Sequence, residues 1–196
     1  MITINEITIV RDGREIIYDY SEQIPAGSIT VIVGPNGCGK STLLAAIAGD
    51  IAPIKGTITI DDLHPILTAP ARLAQIRAVA IQNQSYSLGF SVQQIIEMAG
   101  PATEVVQALD LTSLADRLVT TLSGGEAQRV SIAAAIAQKT PVLLLDEPLA
   151  AQDVSSRKRI IELLKKLAES GVTVVVVAHS SEAELTWADK VIKDFL

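Results

Sequence analysis

The chain has 196 residues, 48% of them apolar and 19% charged, which is enough to bury the core of a single domain. Its formal net charge is −6 and its basic residues are scattered, so no nucleic-acid-binding stripe and no nucleic-acid partner are expected. The single cysteine excludes an intrachain disulfide and a cysteine-based zinc cluster, and no apolar run approaches the roughly 18 residues that a membrane-spanning helix needs.

The first third of the chain alternates short apolar strands with turns. Strands are predicted over residues 2–10, 15–20 and 28–33, and turn residues between them indicate antiparallel pairing. A glycine-rich loop then leads into a predicted helix over residues 41–49, followed by a strand over residues 57–60. Met1 opens directly into a strand in place of a basic and apolar leader, which predicts a cytoplasmic protein.

The middle of the chain is predicted to be mainly helical. A helix is expected from Thr68, with Pro70 in its first turn, to residue 76, and a strand over residues 78–81 ends at Gln82. Residues 83–122 have an aliphatic pattern that favours helices over strands. The candidate helix caps in that stretch are Ser91, Thr103 and Thr112.

Strands and helices alternate in the last third. Helices are predicted over residues 125–138 and 155–169 and after Ser181, and continuous apolar strands over residues 142–145 and 172–177. Such strands indicate a parallel sheet covered on both faces. The predicted fold class is therefore α/β: one domain over residues 1–196 with a mostly parallel core sheet, an N-terminal antiparallel β subdomain and a small helical subdomain over about 83–138.

The glycine-rich loop matches a phosphate-binding pattern in its expected place, between a strand and a helix. Its predicted nucleotide-binding residues are Gly34, Pro35, Asn36, Gly37, Cys38, Gly39, Lys40, Ser41 and Thr42. Glycines let backbone N–H groups face phosphate oxygens, and the helix N-terminus adds partial positive charge. Lys40 is predicted to reach the terminal phosphates, Ser41 to ligate Mg²⁺ and Thr42 to add a phosphate contact. The alternative is a glycine-rich surface turn beside a chance Lys-Ser pair.

Two carboxylates stand at the end of the apolar strand over residues 142–145, where open α/β sheets bind ligands. Asp146 is predicted to hold Mg²⁺ through water. Glu147 follows it, where a carboxylate can orient and partly deprotonate the water that attacks a γ-phosphate. The alternative is an ordinary acidic turn before Pro148.

A Leu-Ser-Gly-Gly sequence at residues 122–125 lies between these two motifs. Ser123 can cap the helix that follows, and the two glycines permit close approach of a backbone or an anion. The chain then carries two phosphate sites that are not expected to face the same nucleotide in one compact domain. Completion of each site by a partner molecule predicts a head-to-tail dimer.

These motifs together resemble the ABC ATPase family, in the family's order and over nearly the whole chain. The resemblance implies a P-loop NTPase fold and hydrolysis of ATP with Mg²⁺. It makes Gln82 the glutamine that senses Mg²⁺ and the attacking water, and His179 the histidine that contacts the γ-phosphate. The residues it places against the ATP of a second subunit, or in the adjoining loop, are Ser123, Gly124, Gly125 and Asp153. The alternatives are a polar strand end at Gln82 and a capping or core histidine at His179.

Three positions depart from that family or add to it. Gln152 stands where the family usually has leucine, and the first strand turn offers Arg11 in place of the usual aromatic side chain that stacks on adenine. Cys38 lies near Lys40 and a helix start, which favours thiol reactivity and predicts that alkylation blocks ATP binding. The alternative is that position 38 only tolerates a small side chain.

The resemblance implies a second ATPase subunit and membrane permease subunits as partners, with the protein peripheral on the inner face of the cell membrane. Tyr86, Leu88, Phe90 and Val92 either line a groove for the permease or pack the helical subdomain onto the sheet. Residues 109–118 resemble importer ATPases for metal chelates such as siderophores, haem or cobalamin. The alternatives are a non-transport ATPase of the iron–sulfur assembly type and a nucleotide sensor that does not hydrolyse ATP.

Overall fold

The computed structural model describes residues 1–82, 89–179 and 184–193. The strands are β1 (Ile2–Arg11), β2 (Arg14–Ile24), β3 (Ile29–Val33), β4 (Lys55–Ile60), β5 (Arg77–Ala80), β6 (Val142–Asp146), β7 (Thr173–Ala178) and β8 (Lys190–Ile192). The α-helices are α1 (Lys40–Ala48), α2 (Pro70–Leu73), α3 (Val92–Ala99), α4 (Thr103–Ala108), α5 (Gly124–Ala137) and α6 (Val154–Glu169). Short 3₁₀ helices cover Pro65–Leu67, Thr112–Leu114 and Val119–Thr121.

The strands form two sheets. An antiparallel sheet has the order β2-β1-β4, and a parallel sheet has the order β5-β6-β7-β3-β8. The expectation of antiparallel pairing is wrong for the third strand, because β3 pairs in parallel with β7 and β8. All five residues of β3 are buried, which is typical of a parallel strand covered on both faces.

Two hydrophobic cores lie on opposite faces of the parallel sheet. Alternate residues of one strand contribute to different cores: Val31 and Val33 to the first, and Ile32 to the second. The first core is completed by α3, α4, α5 and α6, and the second by α1 and the antiparallel sheet. The parallel sheet is therefore the middle layer, and both faces of every central strand are apolar.

Helix boundaries follow local chemistry in some places only. Ser91 caps α3 as predicted, in a capping box with Gln94. Thr68, Thr103 and Thr112 are not N-caps: the Thr68 hydroxyl donates to the His64 carbonyl oxygen, and the other two are the first residues of their helices. The predicted caps fail because a threonine beside a helix can also bond to a preceding carbonyl or begin the helix itself.

Only part of the segment after Gln82 is among the described residues. Tyr86 and Leu88 lie outside the described residues, and so does the start of the helix predicted after Ser181. Val92 is fully buried in the first core, which supports the packing alternative for that residue. Residues 184–193 end in β8, a strand that the sequence did not predict. Within the three described segments, no helix combines the length and the apolar character needed to cross a membrane.

Candidate active site

Four parallel strands end at the same edge of the sheet, and each is followed by a predicted site residue. Val33 of β3 pairs with Ala178 of β7, and Asp146 of β6 pairs with Val177 of β7. Gln82 follows β5 by two residues. The phosphate-type loop, the two carboxylates and His179 therefore meet at the carboxyl edge of the sheet, where ligands of open α/β folds bind.

The glycines of the loop have the conformations that phosphate binding requires. Gly37 and Gly39 have positive φ angles of 78° and 98°, which other residues rarely adopt. A Cβ on Gly39 would lie 2.7 Å from Ile16 Cγ2 of the neighbouring hairpin, so only glycine fits there. Gly39 also precedes α1, whose first turn contains no acidic side chain. The loop thus delivers the positive end of α1 to the cavity.

Lys40 is the first residue of α1 and is only 5% exposed. Its Nζ donates hydrogen bonds to the carbonyl oxygens of Gly34 and Pro35, both at 2.9 Å. An ammonium group has three N–H donors, so one remains for a ligand. The loop therefore holds a fixed cation beside the N-terminus of α1, and the alternative of an ordinary surface turn does not explain that burial.

Cys38 is buried and packs with the apolar residues of the second core. A Cβ on Gly34 would lie 2.8 Å from its Sγ, which shows how closely the thiol packs against the loop backbone. A thiol in this position is poorly accessible to alkylating reagents. The structure favours the alternative that position 38 only tolerates a small side chain and that the thiol has no role of its own.

Asp146 is buried at the end of β6, and its Oδ1 has no hydrogen-bond partner among the described residues. Burial raises the pKa of its carboxyl group, and the negative charge of Glu147 acts in the same direction. A hydrogen bond with Ser41 and the nearby charges of Lys40 and His179 act in the opposite direction. A buried carboxylate oxygen beside a serine hydroxyl is a suitable ligand set for a hard divalent cation such as Mg²⁺.

Glu147 follows Asp146 with a positive φ angle of 50°, a strained conformation for a residue with a side chain. Its backbone N–H donates to the Val177 carbonyl oxygen, which holds this turn against β7. One carboxylate oxygen accepts a hydrogen bond from Gln82 Nε2 at 2.5 Å, and the other lies 2.7 Å from His179 Nε2. Gln82, Glu147 and His179 therefore form one hydrogen-bonded group, although each follows a different strand.

A cavity of about 1090 Å³ opens beside this group. Predicted site residues that line it are Asn36, Gly37, Gly39, Lys40, Ser41, Thr42, Gln82, Glu147 and His179. The β1–β2 hairpin adds Arg11 and Asp12, together with Arg14 and Ile16, which the sequence analysis missed. The turn at residues 12–13 could have indicated Arg14 and Ile16, because the two strands that flank a tight turn lie side by side.

Ser123, Gly124, Gly125 and Asp153 do not line this cavity. Ser123 is the N-cap of α5, as predicted, and forms a capping box with Glu126. Asp153 is the N-cap of α6, and its side chain accepts a hydrogen bond from the Ser156 backbone N–H at 2.7 Å. The structure thus gathers the predicted residues into two groups, one around the cavity and one at two neighbouring helix N-termini.

Known proteins resemble the chain in both sequence and fold. A family model described as ABC transporter matches residues 17–150. The hemin import ATP-binding protein HmuV of Rhodococcus jostii is 37% identical over 200 residues, covering 95% of this chain and 68% of the relative. The cobalamin import ATP-binding protein BtuD of Halobacterium salinarum is 40% identical over 197 residues, covering 92% of this chain and 49% of the relative. The dimeric structure of the bacterial ABC transporter cassette MJ0796 superposes with a TM-score of 0.84 at 27% identity, covering 98% of this chain and 93% of that one.

Proposed function

The chain belongs to the ABC transporter family of ATP-binding proteins, and from this membership we propose that it is the ATP-hydrolysing subunit of an importer for a metal chelate. The observation that carries the proposal is the convergence of Lys40, Glu147 and His179 on one cavity. Import is favoured over the iron–sulfur assembly alternative because similar relatives are named for the import of hemin and cobalamin. A metal-bound tetrapyrrole is therefore the proposed substrate class.

Binding of ATP begins at the loop before α1. The free N–H donor of Lys40 and the N-terminus of α1 attract the β- and γ-phosphates, and Thr42 adds a hydroxyl group to the same wall of the cavity. Arg11 and Arg14 place further positive charge on the hairpin side. The adenine then lies towards Arg11 and Ile16, which offer a guanidinium plane and an apolar surface in place of an aromatic ring.

Asp146 and Ser41 would hold Mg²⁺, and the amide oxygen of Gln82, two residues after β5, would be a further ligand. The fit rests on the unpartnered, buried Oδ1 of Asp146 and on the all-oxygen donor set. When bound, the metal ion neutralises charge on the phosphate oxygens. Gln82 already donates through its Nε2 to Glu147, so its carbonyl oxygen is the end available to a cation.

Hydrolysis uses Glu147 as the group that orients and partly deprotonates the attacking water. Gln82 and His179 each hold one oxygen of this carboxylate, which fixes its plane relative to the γ-phosphate. His179 is also 39% exposed at the cavity, so its ring can reach a phosphate oxygen. Positioning of this kind is the main contribution that a protein makes to phosphoryl transfer.

A second copy of the chain completes each site. Ser123, Gly124 and Gly125 present the N-terminus of α5 at a distance from the chain's own cavity lining, so the same residues of a partner supply the missing anion contacts. Asp153 lies beside them at the start of α6. The dimeric assembly of the similar cassette MJ0796 supports this arrangement. The complex is peripheral on the cytoplasmic face of the membrane, held there by permease subunits.

The test compares the parent chain with Glu147→Gln and Lys40→Met by light scattering and ATPase assay. We expect the parent to hydrolyse ATP, Glu147→Gln to dimerise with Mg-ATP but not with Mg-ADP, and Lys40→Met to remain monomeric. Absence of ATP binding by the parent would overturn the proposal. The import step is tested by reconstituting the chain in liposomes with permease subunits that bind it and measuring ATP-dependent uptake of haem. Uptake that does not depend on ATP would contradict the proposed import.

A further inference from the structure

Gln152 is a buried polar residue whose function the ATPase chemistry does not explain. It lies in the loop between β6 and α6, is only 6% exposed and does not line the nucleotide cavity. Buried amides are costly unless both of their ends are hydrogen-bonded. The partners of Gln152 therefore indicate why a polar side chain occupies this position.

Both ends of the Gln152 amide bind to α5. Its Nε2 donates to the Gly125 carbonyl oxygen at 2.9 Å, and its Oε1 accepts from Arg129 Nη1 at 3.1 Å. Gly125 and Arg129 are four residues apart and so lie on the same face of the helix. One amide thus spans the first turn of α5, directly after the Ser123 cap.

The backbone of the same loop is also fixed against both helices. A Cβ on Gly125 would lie 2.6 Å from the Ala151 carbonyl oxygen, so only glycine allows the loop to approach α5 this closely. Ala151 itself has a positive φ angle of 55°, a conformation that needs support from its surroundings. From α6, Arg157 Nε donates to the Gln152 carbonyl oxygen at 3.1 Å.

These contacts join the two helix N-termini that carry the predicted dimer contacts. Ser123 caps α5 and Asp153, the residue after Gln152, caps α6. Arg129 adds a second link, since its Nη1 also lies 3.5 Å from Ser156 Oγ, one turn into α6. Displacement of either helix end would break hydrogen bonds at Gln152.

We propose that Gln152 is a positioning residue that locks the Ser123–Gly125 segment and the Asp153 cap into one rigid surface, through its bonds to Gly125 and Arg129. This inference rests on the proposed function only where that surface is taken to meet the nucleotide of a second copy. The rigid link itself belongs to the monomer and is measured there.

The chain offers a matched set of variants. Gln152→Met keeps the length of the side chain and removes both hydrogen-bonding ends. Gln152→Glu retains an acceptor for Arg129 but cannot donate to the Gly125 carbonyl oxygen. The control is Gln138→Met, the same change at the exposed C-cap of α5.

The first measurement is amide hydrogen exchange of the monomer without nucleotide. We expect Gln152→Met to speed exchange about tenfold in peptides covering residues 122–130 and also in those covering 149–157, the size expected for the loss of one or two ordinary hydrogen bonds. Peptides of the phosphate loop, and all peptides of Gln138→Met, should be unchanged. Gln152→Glu, which keeps an acceptor for Arg129 but loses the donor to Gly125, should also speed exchange over residues 122–130, by less than Gln152→Met. Unchanged exchange in Gln152→Met, or parent-like exchange in Gln152→Glu, would overturn the proposed link.

The second measurement places Gln152→Met in the Glu147→Gln background and follows ATP-driven dimerisation. The affinity of the monomer for ATP should stay within about twofold of Glu147→Gln, while the protein concentration for half-dimerisation rises about tenfold. Equal dimerisation of the two proteins would overturn the effect of the link on assembly. A Glu147→Gln protein that never dimerises with ATP would instead contradict the proposed function, and the exchange experiment would still decide the role of Gln152.

Discussion

The cavity at the carboxyl edge of the parallel sheet and the neighbouring N-termini of α5 and α6 differ in how fully their polar groups are hydrogen-bonded. Near the cavity, Asp146 Oδ1 is buried without a hydrogen-bond partner in the described parts of the chain, and Lys40 retains a donor beyond its two loop carbonyls. At the helix N-termini, Ser123 and Glu126 satisfy each other in a capping box, and Gln152 uses both ends of its amide.

The difference indicates two kinds of site. A cavity with unmet hydrogen-bonding capacity gains free energy when a phosphate or a cation enters it. A surface whose polar groups are already paired gains little by itself, but it presents backbone N–H groups in a fixed geometry at no further ordering cost. On this basis we propose that the cavity binds ATP and that the helix N-termini complete a site on another molecule.

The largest effect is expected from a change that removes the catalytic group of the cavity and leaves the helix N-termini intact. Replacing Glu147 with Gln removes the group that we propose accepts a proton from water, so kcat should fall about 1000-fold, within the range measured for general bases. ATP binding and ATP-driven dimerisation should remain. Steady-state ATPase assays and light scattering check both. The control is Glu162→Gln, at an exposed ion pair with Lys158, and a fall in kcat of similar size there would contradict the assignment.

The second largest effect is expected from a change that weakens nucleotide binding in the cavity. Replacing Lys40 with Met keeps an unbranched side chain but removes the ammonium group, and loss of charge-assisted phosphate contacts worth about 3 kcal/mol should weaken ATP binding about 100-fold. Calorimetric titration measures the affinity. The matched control is Lys158→Met, since that lysine is 78% exposed. Retained affinity in Lys40→Met would show that the helix N-terminus alone binds the phosphates.

A third prediction tests the helix N-termini by comparing two capping boxes. Ser91→Ala and Ser123→Ala each remove a serine cap from α3 or α5, so each should reduce the free energy of unfolding by about 1 kcal/mol. Only Ser123→Ala should also lower ATPase activity, by about tenfold, because only α5 is proposed to meet a second nucleotide. Chemical denaturation and ATPase assays separate the two effects. Equal activity in both variants would contradict the proposed role of Ser123.

Sequence reasoning located the cavity because its residues follow strands that can be recognised individually. The continuous apolar run before Asp146 predicts a buried parallel strand, and the apolar strand before Gly34 leads into a phosphate-type loop. The carboxyl ends of parallel strands meet at one edge of a sheet. The Ser123 cap was likewise predicted, because a serine before an apolar helical run is a local pattern, and the structure adds Glu126 to form a capping box.

The missed features depend on contacts between distant segments. Gln152 was noticed only as a departure from leucine, because its partners Gly125 and Arg129 are more than twenty residues away in sequence and only the fold brings them together. Arg14 joins the cavity through a similar long-range approach of the hairpin to the phosphate loop. The predicted antiparallel pairing of β3 was wrong because neighbouring turns suggested a hairpin. The five buried residues of β3 lie instead in the middle, parallel sheet.

The smallest expected effect sharpens the comparison by changing only the charge in one capping box. Hydrogen bonds from the Ser123 backbone N–H and hydroxyl lower the pKa of Glu126 from its ordinary value of 4.5, with further contributions from Arg117 and Arg129. The stability that this carboxylate contributes is therefore present above pH 4.5 and lost as the pH falls through the lowered pKa. Glu126→Gln should cost about 0.5 kcal/mol at neutral pH and nothing in strong acid.

The control already exists in the chain, because Gln94 is the neutral counterpart of Glu126 in the box that caps α3. Gln94→Glu should raise the free energy of unfolding by a similar few tenths of a kcal/mol at neutral pH, since a carboxylate near a helix N-terminus interacts favourably with the helix dipole. Urea denaturation across acid and neutral pH measures both variants. If Glu126→Gln lowers the free energy of unfolding in strong acid as much as at neutral pH, Glu126 stabilises α5 by hydrogen bonding alone. In that case its negative charge adds no rigidity to the surface at the helix N-termini.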